Sequence, residues 1–546
     1  MRLSEADLAA FTRAWAIKLT EFGSVSGSVG EAALGPWLAT ELAADEAFGD
    51  SRCWSFPVAL GDPRHCVAML VRGSGRKTVI LTGHYDTVTT EDYGALEPVA
   101  TRPERLKEQL LERLSSGGAQ TAAEQRALAD LQSGNFLPGR GLLDMKAGLA
   151  AGLAACASFA ADEQRGGNLL FLAVPDEEVN SVGARAAASL LPGIAQDLAL
   201  DFVGAINLDA IADDQPDGAN GRIIALGTIG KVLPTALVVG VHAHSGFPLA
   251  GINAGAIAGA IAARVEWAPE LTDTDENGLP GTQPSLLSLR DSKTGYDVTT
   301  PALAFLTFNV LSSTQSPADV LDRFETLCGQ AADALVATLR DRSKASRKPT
   351  VLHQPIALHR FEAVYTAACQ ADEQNTALLK ARAEELAAST LPLPDQCREL
   401  TALAWNLSGL SGPAIVVGFG SVPYLPTRLS AGPAAQRLLA SAQDLAAEAE
   451  ATYGTQLTAT AVFAGISDMS FLGEAEEAAL GIVARNTPLW DAGVRWPADG
   501  GIADIPIVNL GPWGRDYHTP LERLHEPYAF DVLPRLLIDL SKRLLG

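Results

Sequence analysis

Short apolar runs that alternate with helical stretches constrain the fold of this chain more than any other feature. In its first part the apolar runs are 67–71, 78–82, 169–174 and 202–208. Helical stretches, such as 145–159 and 182–190, lie between them. Strands that alternate with helices indicate a mixed or parallel sheet with helices on its faces. We therefore predict the α/β fold class.

A change of composition near residue 213 predicts a second domain inserted into the first. The segment DDQPDGANGR follows residue 212 and is rich in turn residues, as linkers are. Residues 213–425 are typical of an α+β domain with a helical extra, and strand-like segments return after it. The sequence thus predicts one domain made of residues 1–212 and 426–546, and another made of residues 213–425.

Two segments interrupt this pattern and are interpreted as insertions. Residues 102–132 predict two charged helices on either side of residues 115–118, with Leu106, Leu110 and Leu114 on one helical face. The other apparent insertion is 473–500.

The charge of the chain excludes some classes of partner. Lys plus Arg is 41 and Asp plus Glu is 64, so the net charge is −23. Nucleic acids and anionic membranes bind basic patches, and we expect neither as a partner. The N-terminal segment lacks the uninterrupted apolar stretch of a signal peptide. Six scattered cysteines without a CxxC motif fit reduced thiols, so we expect a cytoplasmic protein.

Histidine is scarce, with eight in the chain, and one of them ends an apolar run. His84 closes VILTGH, and Asp86 follows two residues later. In an extended segment residues i and i+2 point to the same face. The Asp86 carboxylate could therefore accept the second ring N–H of a metal-bound His84 and fix its tautomer. Taken alone, the pair fits a solvated histidine in a turn better.

Four further segments carry a carboxylate or a histidine after an apolar run. Asp144 lies in GRGLLDMKAG before an Ala-rich helix, where a helix N-cap is the alternative. Glu177 and Glu178 are adjacent in LAVPDEEVNS, and they repel each other unless a cation or a proton offsets their charge. Asp209 ends AINLD, and His518 lies in a loop after IPIVNL. Each could instead cap a strand end or lie in a solvated turn.

Taken together, these segments predict a metal centre. They supply two histidines and at least three carboxylates, each at the end of a strand or in the loop after it. Mixed ligation by histidine and carboxylate suits a site for two zinc ions or related divalent ions.

The order of the motifs resembles the co-catalytic zinc peptidase and deacylase family. The matching segments are GHYDT, GRGLLDMKAG, PDEEVNSVGA, LDA and GPWGRDYHTPLE. That family includes carboxypeptidase G, acetylornithine deacetylase, succinyl-diaminopimelate desuccinylase, aminoacylase and peptidase T. HSGFPLAGINA (244–254) resembles the histidine motif of the family's lid domain, and GISDMSFL (465–472) its Gly-x-x-Asp motif. The insertions and the chain ending resemble the RocB-like subgroup of arginine-utilisation proteins.

This resemblance implies a fold and a set of metal ligands. The fold is a phosphorylase/hydrolase-like mixed-sheet catalytic domain with helices on both faces, interrupted by an α+β lid or dimerisation domain. His84 and Asp209 resemble the ligands of one metal ion, and Glu178 and His518 those of the other. Asp144 resembles the carboxylate that bridges the two ions. The ions are expected to be zinc, with cobalt or manganese as alternatives.

The resemblance also implies the catalytic groups. Glu177 resembles the general base, and Asp86 the residue that orients a histidine ligand. His244 resembles the lid histidine that stabilises the developing oxyanion, which in some members comes from the partner subunit of a dimer. No motif fixes an arginine for a substrate carboxylate, although Arg290 and Arg323 are candidates.

The expected function is metal-dependent hydrolysis of a C–N amide bond in a small peptide or an N-acyl amino acid, with an arginine-related substrate suggested by the subgroup. A hydroxide held by both metals would attack the carbonyl, with Glu177 as the base. Two alternatives stay open: a non-catalytic binding or scaffold protein on the same fold, and a broader oligopeptidase. The partner is expected to be a small molecule or a short peptide. The lid could form a homodimer or cover the site within one chain.

Overall fold

Twenty strands and fifteen α-helices follow one another along the part of the chain that the computed structural model describes, which is residues 4–213, 215, 218, 220–274, 281–293, 295–346, 351, 355–463, 465–475, 478–497 and 502–546. The strands are β1 (Arg52–Pro57), β2 (His65–Arg72), β3 (Ser74–His84), β4 (Phe136–Pro138), β5 (Gly166–Val174), β6 (Asp201–Asn207), β7 (Ile211–Ala212), β8 (Ile223–Ala225), β9 (Gly227–Thr228), β10 (Gly230–Val232), β11 (Pro234–Val239), β12 (Ser285–Asp291), β13 (Leu303–Ser312), β14 (Ala357–Arg360), β15 (Ala414–Phe419), β16 (Thr427–Arg428), β17 (Thr458–Thr460), β18 (Ile507–Asn509), β19 (Trp513–Arg515) and β20 (Arg523–His525). The helices are α1 (Glu5–Glu21), α2 (Val29–Ala44), α3 (Pro103–Arg113), α4 (Ala122–Ser133), α5 (Ala147–Ala160), α6 (Val182–Leu198), α7 (Ala254–Val265), α8 (Pro317–Ser343), α9 (Phe361–Ala371), α10 (Glu373–Ala387), α11 (Leu393–Leu407), α12 (Pro433–Tyr453), α13 (Met469–Leu472), α14 (Ala478–Asn486) and α15 (Leu533–Leu545).

These elements divide into two units. Unit 1 consists of Met1–Thr228, Thr427–Ala475 and Pro497–Gly546. Unit 2 consists of Ile229–Pro426 and Glu476–Trp496. The sequence prediction places the boundaries after residues 212 and 425. Part of the second apparent insertion, 473–500, packs in unit 2, because Val483 and Leu489 are buried in the hydrophobic clusters of that unit; residues 476, 477 and 498–500 lie outside the described residues.

Unit 1 is built on an eight-stranded mixed sheet with the order β1-β2-β5-β3-β6-β18-β8-β17. Its central strands β5, β3, β6 and β18 run parallel to one another. Strand β2 is antiparallel to β5, and β1 is antiparallel to β2. Val79 and Leu81 belong to the main hydrophobic cluster, and Ile80, whose side chain the pleat turns to the opposite face, is also buried. Both faces of the sheet are therefore covered, which confirms the predicted α/β class.

Helix α5 lies in the core of unit 1. The helix is part of the stretch Leu142–Ala160, which is long and apolar enough to cross a membrane and is the one such stretch among the described residues. However, 94% of its most apolar 18-residue segment is buried inside the structure. The helix packs against α1, α15, β3 and β5. Its apolar character is explained by this burial, since a helix that is hydrophobic all round lies inside a protein core as readily as in a membrane.

A second, four-stranded sheet of unit 1 has the order β4-β20-β19-β7. Strand β4 precedes the loop that carries Asp144, and β7 follows Asp209. Strands β19 and β20 are antiparallel and enclose the loop with His518. This small sheet thus joins three chain segments that are distant in sequence and that carry predicted metal ligands.

The segment 102–132 of unit 1, which we interpret as an insertion, contains helix α3 and most of α4. Helix α3 buries Leu106 and Leu110, and α4 begins after Thr121, whose side chain forms a capping box with Glu124. The predicted helical face is therefore the packed one.

Unit 2 contains a sheet with the strand order β10-β13-β11-β15-β14, to which β12 adds by pairing with β13. Helices α7 and α8 pack on this sheet, and their apolar faces form a hydrophobic cluster with it. A second cluster contains α9, α10 and α11, the helical extra of the sequence pattern. Unit 2 is thus an α+β domain.

Candidate metal centre

The carboxyl ends of parallel strands bring the predicted ligands of unit 1 to one edge of its sheet. His84 is the last residue of β3 and is paired in register with Val174 at the end of β5. Glu177 and Glu178 follow β5, and Asp209 follows β6. Open α/β sheets bind ligands beyond the carboxyl ends of their strands.

The ring of His84 is buried and held at both nitrogens. Nδ1 lies 3.1 Å from the backbone oxygen of Asp86 and 3.6 Å from its Oδ1, so the carbonyl is the nearer orienting group. Nε2 lies 3.1 Å from Oδ1 of Asp144. With Nδ1–H donated to the carbonyl, Nε2 carries the lone pair that a metal ion would use.

The carboxylate of Asp86 has another set of partners. It accepts hydrogen bonds from the backbone N–H groups of Glu177 (3.0 Å) and Glu178 (3.2 Å), and from the hydroxyl of Ser26 (2.7 Å). Burial raises the pKa of Asp86, but His84 and these donors outweigh it and lower the pKa below its ordinary value. Asp86 therefore fixes the loop that carries the two glutamates as well as the histidine.

Asp144 lies between the two histidines. Its Oδ1 is 3.1 Å from Nε2 of His84, and its Oδ2 is 3.1 Å from Nε2 of His518. Burial raises its pKa, but the two histidines outweigh it and lower the pKa. The residue lies in a π-turn, Leu142–Lys146, that leads into α5, and its peptide bond to Met145 is cis. One carboxylate with an oxygen towards each histidine has the geometry of a bridging ligand.

Two groups of potential donor atoms share Asp144. One is His84, Asp144 and Asp209, and the other is Asp144, Glu178 and His518; within each group the ligand atoms lie within 4.8 Å of one another. Nε2 of His518 is 3.2 Å from Oε1 of Glu178, and Nε2 of His84 is 3.8 Å from Oδ1 of Asp209. The structure therefore brings all five predicted ligands together.

The electrostatics of the cluster favour a cation. Burial, with a smaller contribution from Asp144, raises the pKa of both Glu178 and Asp209, although histidines oppose it. Burial lowers the pKa of His518, but Asp144 and Glu178 outweigh it and raise the pKa to about 10. Divalent ions would offset the repulsion among the carboxylates and use the deprotonated histidines, so the donor set fits two such ions.

Glu177 lies beside this cluster but is not in either group of donor atoms. Its Oε2 is 3.9 Å from Nε2 of His84, and its side chain is 10% exposed. Burial raises the pKa of Glu177 well above its ordinary value, and the charge of Asp209 adds to this although His84 opposes it. A carboxylate with a raised pKa takes up a proton more readily, which suits a general base.

His244 is not part of this cluster. It belongs to unit 2, where it is exposed, and its Nδ1 accepts a hydrogen bond of 3.1 Å from the backbone N–H of Gly246. A neutral ring in this arrangement carries its proton on Nε2.

Two acidic groups near the cluster had no role in the sequence prediction. Asp468, within the Gly-x-x-Asp motif, is buried. Burial raises its pKa to about 7, and the charges of Asp86 and Asp209 add to this although His84 opposes it. Glu522 is fully buried and pairs with the buried Arg140, whose Nη1 is 2.7 Å from Oε2 of the glutamate. The motif was the signal for Asp468, whereas the spacing of four residues after His518 was the only signal for Glu522.

The Arg140–Glu522 pair connects the loops of two ligands. Glu522 also accepts a hydrogen bond of 3.0 Å from the backbone N–H of Gly141, in the segment that leads to Asp144. Because Glu522 follows His518 in the same loop, one ion pair ties both segments together.

We expect Arg140→Met to lower the free energy of unfolding by about 3–5 kcal/mol, because it leaves the Glu522 carboxylate buried without its partner. Urea denaturation followed by circular dichroism measures the change. The double variant Arg140→Met/Glu522→Leu should be less destabilised than Arg140→Met alone. Equal stability of wild type and Arg140→Met would contradict the assignment.

Two relatives from Bacillus subtilis (strain 168) align with almost the whole chain. "Uncharacterized protein YqjN" is 29% identical over 527 residues, which cover 95% of this chain and 93% of the relative. "Protein RocB" is 29% identical over 566 residues, which cover 100% of this chain and 96% of the relative. The predicted similarity to RocB is confirmed.

Solved structures show the same fold. A tripeptidase from Staphylococcus aureus subsp. aureus mu50 superposes with a TM-score of 0.53 at 15% identity, and the match covers 100% of both chains. The M20 family metallo-carboxypeptidase Sso-CP2 from Sulfolobus solfataricus gives 0.50 at 13% identity, with 98% of this chain and 99% of the other covered.

The family itself is shown by a sequence profile. The profile described as Peptidase family M20/M25/M40 matches residues 120–488, which include Asp144, Glu177, Glu178 and Asp209. The matched range thus contains the carboxylate that lies between the two histidines, both glutamates and a third carboxylate of the cluster described above. The chain belongs to Peptidase family M20/M25/M40.

Proposed function

We propose that this protein is a two-metal hydrolase that cleaves a C–N amide bond in a small peptide or an N-acyl amino acid. The observation that carries the proposal is the placement of the Asp144 carboxylate, with one oxygen 3.1 Å from His84 and the other 3.1 Å from His518. Membership of a peptidase family supports hydrolysis as the reaction.

The residues divide naturally between two ions. His84, Asp144 and Asp209 would hold one, and Asp144, Glu178 and His518 the other. We propose zinc, since mixed histidine and carboxylate ligation suits it, with cobalt or manganese as substitutes. When bound, the two ions supply Lewis acidity, which polarises a substrate carbonyl and lowers the pKa of water.

Glu177 is the group in this chain that moves the proton. Its Oε2 would accept a proton from the attacking water and then give that proton to the amide nitrogen as the C–N bond breaks. The hydrogen bond from its backbone N–H to the Asp86 carboxylate holds the residue in place. Its side chain is 10% exposed, which limits competition from bulk water for the same proton.

His244 is proposed to stabilise the negative charge that develops on the carbonyl oxygen of the substrate. With its Nδ1 accepting the N–H of Gly246, Nε2–H is free to donate to the carbonyl oxygen as negative charge develops there. This role follows from the resemblance of its motif to that of lid histidines.

A homodimer formed through unit 2 is proposed as the assembly. Strand β12 lies at a sheet edge and, among the described residues, pairs with β13 alone. Leu287 and Leu289 on this strand are 58% and 41% exposed. Exposed apolar edge strands are ready to pair with another chain.

An arginine-related substrate and a cytoplasmic location are proposed as well. The first proposal rests on the RocB-like resemblance and the second on the cysteine pattern.

A turnover screen on zinc-loaded protein tests the proposal. The panel contains dipeptides and N-acyl amino acids, rich in arginine, ornithine and citrulline derivatives, and mass spectrometry detects the products. We expect one class of amide to be cleaved into acid and amine by wild type and not by Glu177→Gln. No cleavage of any amide, or equal cleavage by both proteins, would contradict the proposal.

A further inference from the structure

His518 depends on the hairpin around it for its position. It lies in the loop between β19 and β20, its side chain is 41% exposed, and its φ is 60°. An exposed side chain has few packing contacts to fix its rotamer. The base of the hairpin therefore matters for where this ligand points.

Two arginines face each other at that base. Arg515 of β19 is in register with Arg523 of β20, and their side chains are 5% and 1% exposed. Like charges directly opposite each other on antiparallel strands are destabilising, and burial makes the repulsion stronger. An anion that contacts both guanidinium groups would relieve this repulsion.

Asp130 of the insertion supplies that anion. Nη1 of Arg515 donates to both of its oxygens at 2.8 Å, and Nε of Arg523 donates to Oδ2 at 2.8 Å. The Asp130 side chain is 13% exposed. We name Asp130, Arg515 and Arg523 the Asp130 cluster. It connects α4 to both strands of the hairpin.

The insertion also reaches the start of the loop. Arg126, one turn before Asp130 on α4, has Nη2 3.6 Å from Oδ1 of Asp516. Arg523 donates from Nη1 to Oδ2 of the same Asp516 at 2.6 Å. Asp516 precedes His518 by two residues, so these contacts act on the loop that carries the ligand.

We propose that the helical insertion positions His518 through the Asp130 cluster and so sets the affinity of one of the two metal sites. The inference rests on the proposed function, since it takes His518 to be a metal ligand. Asp130 is a positioning residue and touches neither metal nor substrate. Residues that orient metal ligands typically change metal affinity by about 10–100-fold when replaced.

The test compares metal binding by Asp130→Asn with that by Glu108→Gln, a matched loss of an acid at an exposed position of the same insertion. Metal-free protein is titrated with Co²⁺ in a calorimeter, and the visible absorption bands of the bound cobalt are recorded. His518→Ala serves as the reference for loss of the ligand itself.

We expect Glu108→Gln to bind two ions with wild-type affinity. We expect Asp130→Asn to bind the first ion with wild-type affinity and the second about 10–100-fold more weakly, and the absorption bands of the bound cobalt to change. Retention of the first site and an unchanged far-ultraviolet circular dichroism spectrum exclude general unfolding. If Asp130→Asn does not fold, Asp130→Glu should still bind the second ion more weakly than Glu108→Gln.

Normal binding of both ions by a folded Asp130 variant, alongside loss of one ion in His518→Ala, would overturn this inference and leave the proposed function intact. Normal binding of both ions by His518→Ala would instead overturn the ligand assignment of the proposed function, and this inference with it.

Discussion

Asp144→Asn is expected to abolish binding of both metal ions. Each carboxylate oxygen of Asp144 lies 3.1 Å from a histidine nitrogen. The change replaces one of these oxygens with an amide NH₂ group, which cannot bind a metal. It also removes the negative charge that both sites share. Loss of a group that only orients a ligand lowers metal affinity by about 10–100-fold. Loss of the shared ligand itself should therefore lower the metal affinity of both sites by more than about 100-fold. Mass spectrometry of the metal content after gel filtration measures the effect.

The control for this prediction is Asp201→Asn, which removes an acid from the exposed start of β6. It should retain two ions per chain. If Asp144→Asn also retains two ions, the carboxylate is not a bridging ligand. Loss of one ion only would likewise contradict a shared position between the two sites.

Glu177→Gln is expected to reduce kcat by about 10²–10⁴-fold, the usual contribution of a general base, while two metal ions stay bound. The amide cannot accept the proton of the attacking water. It is nearly the same size as the carboxylate, and the backbone N–H that bonds to Asp86 is unchanged. Steady-state kinetics with a substrate from the amide panel, together with metal analysis of the same sample, measure both quantities.

Glu163→Gln, at an exposed position in the loop after α5, is the matched control and should keep the wild-type kcat. Full activity in Glu177→Gln would show that another group takes the proton. A loss of activity together with a loss of metal would show that Glu177 is a ligand instead of a base.

The sequence predicts the framework of the fold because local patterns determine it. The apolar runs that end at His84 and before Glu177 and Asp209 are buried parallel strands, and parallel strands bring their carboxyl ends to one edge. The five predicted ligands could be named for two reasons. Histidine is scarce in the chain and a carboxylate next to a buried strand is energetically costly, and the order of the motifs resembles a known family.

Contacts that depend on loop conformation could not be predicted in the same way. The spacing of His84 and Asp86 suggests a bond to the Asp86 carboxylate, but the backbone oxygen lies nearer at 3.1 Å. The carboxylate lies 3.6 Å from Nδ1 of the same ring and accepts hydrogen bonds from the N–H groups of the glutamate loop. The spacing of two residues specifies only that the two side chains lie on the same face. The conformation of the turn after β3 determines which oxygen of Asp86 contacts the His84 ring.

Contacts between distant segments were also beyond the sequence. Asp130 and Arg515 are 385 residues apart, and nothing in either local pattern points to the other. The same holds for Arg140 and Glu522, which are 382 residues apart. Asp130 lies in the charged segment 102–132, and Arg140 and Glu522 lie in loops far apart in sequence. Both pairs form because the small four-stranded sheet brings distant segments together.

Anomalous X-ray diffraction from zinc-loaded crystals of the wild-type protein tests the central claim most directly, because it needs no knowledge of the substrate. We predict two zinc peaks separated by about 3.5–4 Å, one against His84 and Asp209, the other against Glu178 and His518, and both against Asp144. A single peak, or two peaks that do not share Asp144, would contradict the account.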